Sequence, residues 1–142
     1  MEKFVDVILP LPLHSSFTYL LPKDMAGEVQ IGCRVVVPFG RKKYYTAIVR
    51  NIYYSAPTEY EVKEVSALLD AHPILLSEQF RFWEWLSDYY LCTQGDVYKA
   101  ALPSGLKLES ETMVEYNPDF ELDVQLPERE RKILDLLSAE PE

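Results

Sequence analysis

The chain lacks the residue patterns on which most enzyme and metal chemistry depends. Its two cysteines, Cys33 and Cys92, stand far apart. Neither has a Cys-x-x-Cys or Cys/His ligand spacing, so no zinc or redox motif is present and both read as reduced, buried thiols. His14 and His72 lie in proline-rich loops without a paired Cys, Ser or carboxylate pattern. There is no Gly-x-x-x-x-Gly-Lys phosphate loop, nucleophile signature or paired-carboxylate geometry. Catalytic and metal-binding residues are therefore not assigned. No apolar run approaches the roughly 20 residues of a membrane span. Met1-Glu2-Lys3 leads into an alternating strand and not a signal-peptide core. The expectation is a cytoplasmic protein with no membrane contact.

Positive charge is also scarce. Against 23 acidic residues there are 14 basic ones, a net charge of -9. Taken whole, that balance opposes nucleic-acid binding, whose footprint is a basic patch. The distribution reverses the reading: residues 1–105 hold 10 Lys+Arg and 12 Asp+Glu, net -2, and residues 106–142 hold 4 and 11, net -7. The acidity sits in the C-terminal quarter. A chain of 142 residues suits one domain and some excess.

What is present centres on Cys33 to Arg41, Cys-Arg-Val-Val-Val-Pro-Phe-Gly-Arg. A β-branched strand runs into Pro38, which cannot donate to a ladder, and Gly40, which tolerates positive φ. Arg41, Lys42 and Lys43 follow, the chain's only run of three basic residues, with Phe39 before and Tyr44 and Tyr45 after.

Alternation predicts a strand over Lys3 to Leu9 with Val5, Val7 and Leu9 on one face, and a second over Phe17 to Leu21. The long run Tyr44 to Tyr54 forms a hairpin with the central strand; Tyr45, Ala47, Val49 and Asn51 share one face, and Tyr44, Thr46, Ile48, Arg50 and Ile52 the other. After a loop through Pro57, residues 62–67 read as a fifth strand. Five strands in 70 residues suggest a small closed or nearly closed barrel.

At Ser77 the period changes from two to 3.6. Ser77 reads as an N-cap for a helix from Glu78 to Leu91, with Phe82, Leu86, Tyr89 and Tyr90 at helical spacing and Phe80 and Trp83 alongside. Trp83 is assigned to the core and Trp85 to a partner surface. Gly95 should break the helix and Asp96 cap a short one through Ala101. The module ends near Gly105. Residues 106–126 read as an acidic linker with a candidate strand at Glu111 to Tyr116. Pro127 to Ser138 reads as a helix whose apolar side, Ile133, Leu134 and Leu137, opens a second domain continuing past Glu142.

The suggestive cluster is Phe17-Thr18-Tyr19, the turn Phe39-Gly40-Arg41-Lys42-Lys43, and Lys63. Single-stranded nucleic acid is held by aromatic faces, roughly 1 to 3 kcal/mol per stacked base, and by cations that follow phosphates. The same residues also suit a barrel core and a solubilised turn, so composition alone leaves both readings open.

The ordered series Leu9-Pro10-Leu11-Pro12, Phe17-Thr18-Tyr19-Leu20-Leu21-Pro22, Gly32 to Arg41, Asp88-Tyr89-Tyr90, Gly95-Asp96-Val97 and Ala101-Leu102-Pro103 resembles the N-terminal part of the PriA-type replication-restart helicases, also called primosomal protein N′. The resemblance covers residues 1–105, and residues 127–142 are similar to the opening helix of that family's winged-helix domain. It implies an α+β, β-rich fold: a small OB-like β-barrel with a capping amphipathic helix, then the start of a winged helix. It also implies capture of the 3′ end of the nascent leading strand at a stalled fork, in a pocket that maps onto Phe17, Thr18, Tyr19, Gly40 and Lys63. Arg41, Lys42 and Lys43 would draw in the phosphates. The parent implied is an ATP-dependent 3′-to-5′ DNA helicase of the bacterial cytoplasm and nucleoid. ATP, magnesium and zinc would bind outside this segment, and its partners would be primosome proteins and single-strand DNA-binding protein.

One departure matters. The family pattern has aspartate where this chain has Thr18, and a neutral hydrogen bond is worth roughly 0.5 to 1.5 kcal/mol against about 1.5 to 3 for a charged one. Weaker capture of a 3′ hydroxyl and weaker rejection of a 3′ phosphate are expected. Two other classes fit the barrel: a protein-interaction module docking on the helicase motor or single-strand-binding protein through Trp85, and an RNA-binding barrel resembling the C-terminal domain of methionyl-tRNA formyltransferase.

Overall fold

In a computed structural model of the chain, described for residues 2–55, 61–108, 117 and 126–139, the alternating segments become β1 (Lys3–Ile8), β2 (Phe17–Leu21), β3 (Arg34–Phe39) and β4 (Lys43–Tyr53). These four form an antiparallel sheet, with β1 paired to β2 and β4, and β4 paired to β3. The predicted fifth strand resolves into two short ones, β5 (Lys63–Glu64) and β6 (Ala67–Leu68). β5 runs parallel to β2 at one sheet edge, while β6 runs antiparallel to β3 at the other. Between them the Val65 amide donates to the Leu20 carbonyl (3.0 Å) and the Ser66 amide to the Val36 carbonyl (2.8 Å). One extended segment therefore ties both edges together and curls the order β5-β2-β1-β4-β3-β6 into a partly closed barrel.

Val5, Val7, Tyr19, Leu21, Val35, Val37, Ala47 and Val49 fill the interior. β4 departs from strict alternation. Asp6 pairs with Asn51 but Val7 with Val49, so Arg50 is an extra, bulged residue. The bulge flips the parity beyond it, and Ile52, expected to share a face with Ile48, packs instead against the interior with Ala47 and Val49. A charged pair clamps the closing segment: Arg34 and Asp70 bond at 2.6 Å with side chains 14% and 8% exposed, and the Arg34 amide also donates to Asp70 (2.8 Å). The Arg34 guanidinium holds the Asp70 carboxyl below the usual carboxylate range.

On the outer face lie α1 (Ser77–Tyr90) and α2 (Gln94–Ala101). Ile8, Ile48, Leu75, Phe80, Trp83, Val97 and Tyr98 form a second core there. Trp83 stacks on Tyr98 at 5.8 Å, and the Tyr98 hydroxyl donates to the Thr46 carbonyl (2.8 Å). Three expectations are corrected. Leu76, not Ser77, is the N-cap of α1; it has no capping side chain, and the Gln79 side chain instead accepts from its amide (2.8 Å). The end of α1 is where its spacing predicts, with Leu91 as the C-cap in the left-handed region at φ 52°. Gly95 does not break the helix but lies buried inside α2, where a Cβ would sit 1.8 Å from the Leu11 carbonyl oxygen, so its role is close approach. The cap of α2 is Thr93, with Asp96 completing a capping box and held below the usual carboxylate range chiefly by the Thr93 hydroxyl.

Cys33 is buried, which pushes its thiol up, whereas Cys92 is half-buried and not fully enclosed as expected. No helix among the described residues is long and apolar enough to cross a membrane. The chain divides at residue 110 into two units. In the second, α3 (Glu128–Ala139) carries an i,i+4 pair, Glu128 to Lys132 at 3.8 Å, with Ile133 and Leu136 exposed. The candidate strand at Glu111 to Tyr116 lies outside the described residues.

Candidate nucleic-acid interface

β2, the β3–β4 turn and the start of β5 meet at one end of the barrel because β5 pairs with β2 in parallel, placing Lys63 opposite Tyr19. Phe17, Thr18, Tyr19, Gly40 and Lys63 line a single concavity there of about 170 Å³, together with Pro38, Phe39 and Glu61. A second, of about 480 Å³, shares Pro38, Gly40 and Lys63 with it and is bordered by Arg41, Lys42, Lys43 and Tyr44. All eight residues singled out in the sequence thus line two adjoining hollows. Among the described residues, none of these four cations forms a salt bridge.

Gly40 has φ 72°, a conformation that disfavours other residues, and the space where a Cβ would stand is open. Its carbonyl accepts a 2.8 Å hydrogen bond from Lys63 Nζ, which aims the ammonium across the pocket mouth. The aromatic members divide. Tyr19 is 4% exposed, and its hydroxyl donates to the Pro38 carbonyl at 3.0 Å; it braces the turn and offers no free ring face. Phe17 and Phe39, in edge contact at 5.1 Å, are both partly exposed. Phe39 rests in turn against Tyr45.

Thr18 borders the hollow, yet its side chain lies on the face of β2 opposite Phe17 and Tyr19. Its hydroxyl donates to Asp6 Oδ1 at 2.7 Å, the Tyr53 hydroxyl donates to the same oxygen at 2.7 Å, and the two hydroxyls stand 2.8 Å apart. Asp6 and Thr18 are direct cross-strand partners. The carboxylate expected at position 18 is thus found one strand over, while the acid lining the pocket itself is Glu61. Sequence reasoning passed over Glu61 because nothing local marks it; it reaches the site through the parallel β2–β5 pairing. Among the described residues no cluster of His, Cys, Asp and Glu has the grouping of a metal site.

The 3′ DNA-binding domain (3′BD) family model of PriA matches residues 6–103. The chain belongs to the PriA 3′ DNA-binding-domain family. A winged-helix domain model matches residues 111–142, consistent with α3 as a helix of that unit. The Replication restart protein PriA of Bacillus subtilis is 32% identical over 136 residues, covering 92% of this chain and 17% of the relative. That of Haemophilus influenzae is 38% identical over 110 residues, covering 74% and 14%. A third, from Buchnera aphidicola, is 30% identical over 99 residues, covering 70% and 13%. The chain therefore spans less than a fifth of the length of these relatives.

Proposed function

We propose that this chain is the DNA-structure-reading part of a bacterial replication-restart protein and binds the 3′ end of a nascent strand at a stalled fork, supporting primosome assembly. The observation that carries this reading is the convergence of Phe17, Thr18, Tyr19, Gly40 and Lys63 on one small hollow beside a cationic one. A concavity of about 170 Å³ takes the end of a strand and not the body of a duplex. The terminal base packs on the exposed edges of Phe17 and Phe39 and approaches the Gly40 backbone, where no side chain intervenes. The next phosphates lie along Arg41, Lys42 and Lys43. Glu61 accepts from the terminal hydroxyl and repels a phosphate at the same place, the role the family pattern gives to position 18.

On this reading the chain itself catalyses nothing. ATP, magnesium and zinc belong to a helicase motor elsewhere in the parent, and single-strand-binding and primosome proteins are its cytoplasmic partners. Fluorescence anisotropy with oligonucleotides ending in a 3′ hydroxyl or a 3′ phosphate tests it. Wild type should prefer the hydroxyl, Lys63→Ala should lose about tenfold or more in affinity, and Glu61→Gln should accept the phosphorylated end more readily. Absence of any end preference rejects the pocket assignment. Tighter binding of a structured RNA than of a DNA end would favour the RNA-binding alternative.

A further inference from the structure

The exposed side of α1 carries an aromatic ladder. Phe82 and Trp85 stack at 6.0 Å with their planes 11° apart, Trp85 and Tyr89 at 5.0 Å and 21°, and Tyr90 meets Tyr89 edge-on at 5.0 Å. Each of the four rings is more than half exposed, and the neighbouring Leu91 is 93% exposed. Residues at i, i+3 and i+7 form one continuous stripe on a helix, and so large an exposed apolar surface marks an interaction site. Beside it, between α1 and α2, runs a groove of about 330 Å³ lined by Leu86, Tyr90, Asp96, Val97, Ala100 and Ala101.

The charge around the ladder selects the occupant. Glu78 pairs with Arg81 at 3.7 Å, whereas Asp88, one turn from Trp85, makes no ion pair among the described residues. Phosphates of a strand stacked on these rings would lie beside Asp88, one turn from Trp85. A second copy docked symmetrically would bring its own Asp88 to the same place. A cation is favoured on both counts, since it is drawn to the rings and to the Asp88 carboxylate together. The same helix already holds one such arrangement on its inner side, where the Arg50 guanidinium lies 4.8 Å from the Phe80 ring centre and pairs with Glu84.

We propose that this face is a protein-docking surface for a basic segment. An arginine or lysine side chain lies on the Phe82–Trp85–Tyr89 stack beside Asp88, and an adjacent apolar side chain fills the groove lined by Leu86, Tyr90, Val97, Ala100 and Ala101. This surface is separate from the barrel-end hollows and does not rest on the DNA-binding reading.

Titrating the full chain with a synthetic peptide of alternating Arg and Leu, against its Glu–Leu counterpart and an oligothymidylate, and following the two tryptophan indole signals by NMR, tests it. The Arg–Leu peptide should shift Trp85 and leave the buried Trp83 unmoved. Its affinity should fall about tenfold or more in Trp85→Ala and in Asp88→Lys and stay unchanged in Lys63→Ala. Both substituted side chains are exposed, and the Trp83 signal reports that the fold persists. Equal binding of the Glu–Leu peptide, or Arg–Leu binding insensitive to Trp85→Ala, would overturn the proposal. So would oligothymidylate shifting Trp85, or a Trp85-dependent self-association without peptide binding.

Discussion

One end of this small barrel and the helix α1 on its outer face both present aromatic rings to solvent, and they differ in what surrounds the rings. At the β3–β4 turn, Phe17 and Phe39 stand among Lys63, Arg41, Lys42 and Lys43, with the open backbone of Gly40 between them. On α1, Phe82, Trp85, Tyr89 and Tyr90 share the helix surface with Asp88, and Tyr90 also lines the groove between α1 and α2. A ring face attracts a base and a guanidinium alike; the neighbouring charges decide which arrives. Net charge of the whole chain, -9, hides this division.

The sharpest way to break the comparison is on α1 itself, where two tryptophans two residues apart face opposite ways. Trp83 is 4% exposed and stacked on Tyr98, while Trp85 is 53% exposed. Trp83→Ala should cost about 3 to 5 kcal/mol and detach the helical cap. Trp85→Ala should fall within about 0.5 kcal/mol of wild type, as read by urea unfolding. Equal losses would place the ladder in the core and remove it as a surface.

The barrel-end site depends next on the closing segment. Asp70→Asn leaves Arg34, 14% exposed, without its counter-charge and should cost about 3 kcal/mol. The carboxyl of Asp70 lies below its ordinary range when folded. Its stabilisation is therefore present above the normal carboxylate pKa and is lost as pH falls through the lowered folded value. Wild type should lose stability across that acid window, and Asp70→Asn should show a flatter profile there in thermal unfolding scans.

What could be read in the sequence, and what could not, follows the range of the interactions. β2 runs from Phe17 to Leu21 as its alternation predicts, because strand period is a local signal. α1 carries apolar residues at Phe80, Phe82, Trp83, Trp85, Leu86, Tyr89 and Tyr90, nearly all around its axis. Periodicity found the helix but favoured the wrong stripe, since only the packing against Ile48 and Tyr98 decides that Phe80 and Trp83 turn inward. Gly95 looked like a breaker because its neighbours in space, the Leu9 and Leu11 carbonyls, are distant in sequence. The eight candidate residues that line the two adjoining hollows could be singled out through their chemistry and the family pattern. Glu61, Asp6 and Tyr53 were not, because parallel pairing and a cross-strand contact bring them in.

That cross-strand contact sets a smaller effect. Restoring the family acid as Thr18→Asp would place a carboxylate against Asp6, which now receives both hydroxyl protons. The exchange removes a hydrogen bond to a charged group and adds like-charge repulsion, a cost of about 1.5 to 3 kcal/mol. Asp6→Asn in the same chain should recover most of it. If Thr18→Asp alone is neutral in urea unfolding, the Asp6–Thr18–Tyr53 triangle does not organise this edge of the pocket.

The smallest effect compares one charge from each surface. Lys42→Ser removes a single exposed cation from the turn and should leave stability unchanged. The salt dependence of oligonucleotide binding should become shallower by about 0.7 in the logarithmic slope if Lys42 neutralises one phosphate of a single strand. Asp88→Ser removes a single exposed anion from the ladder and should leave that slope where it is, because screening over roughly 8 to 10 Å at ordinary ionic strength isolates charges farther apart than that. A matching change of slope from both substitutions would mean that one DNA path crosses both surfaces, and the division between a cationic site for nucleic acid and an anionic one for protein would collapse.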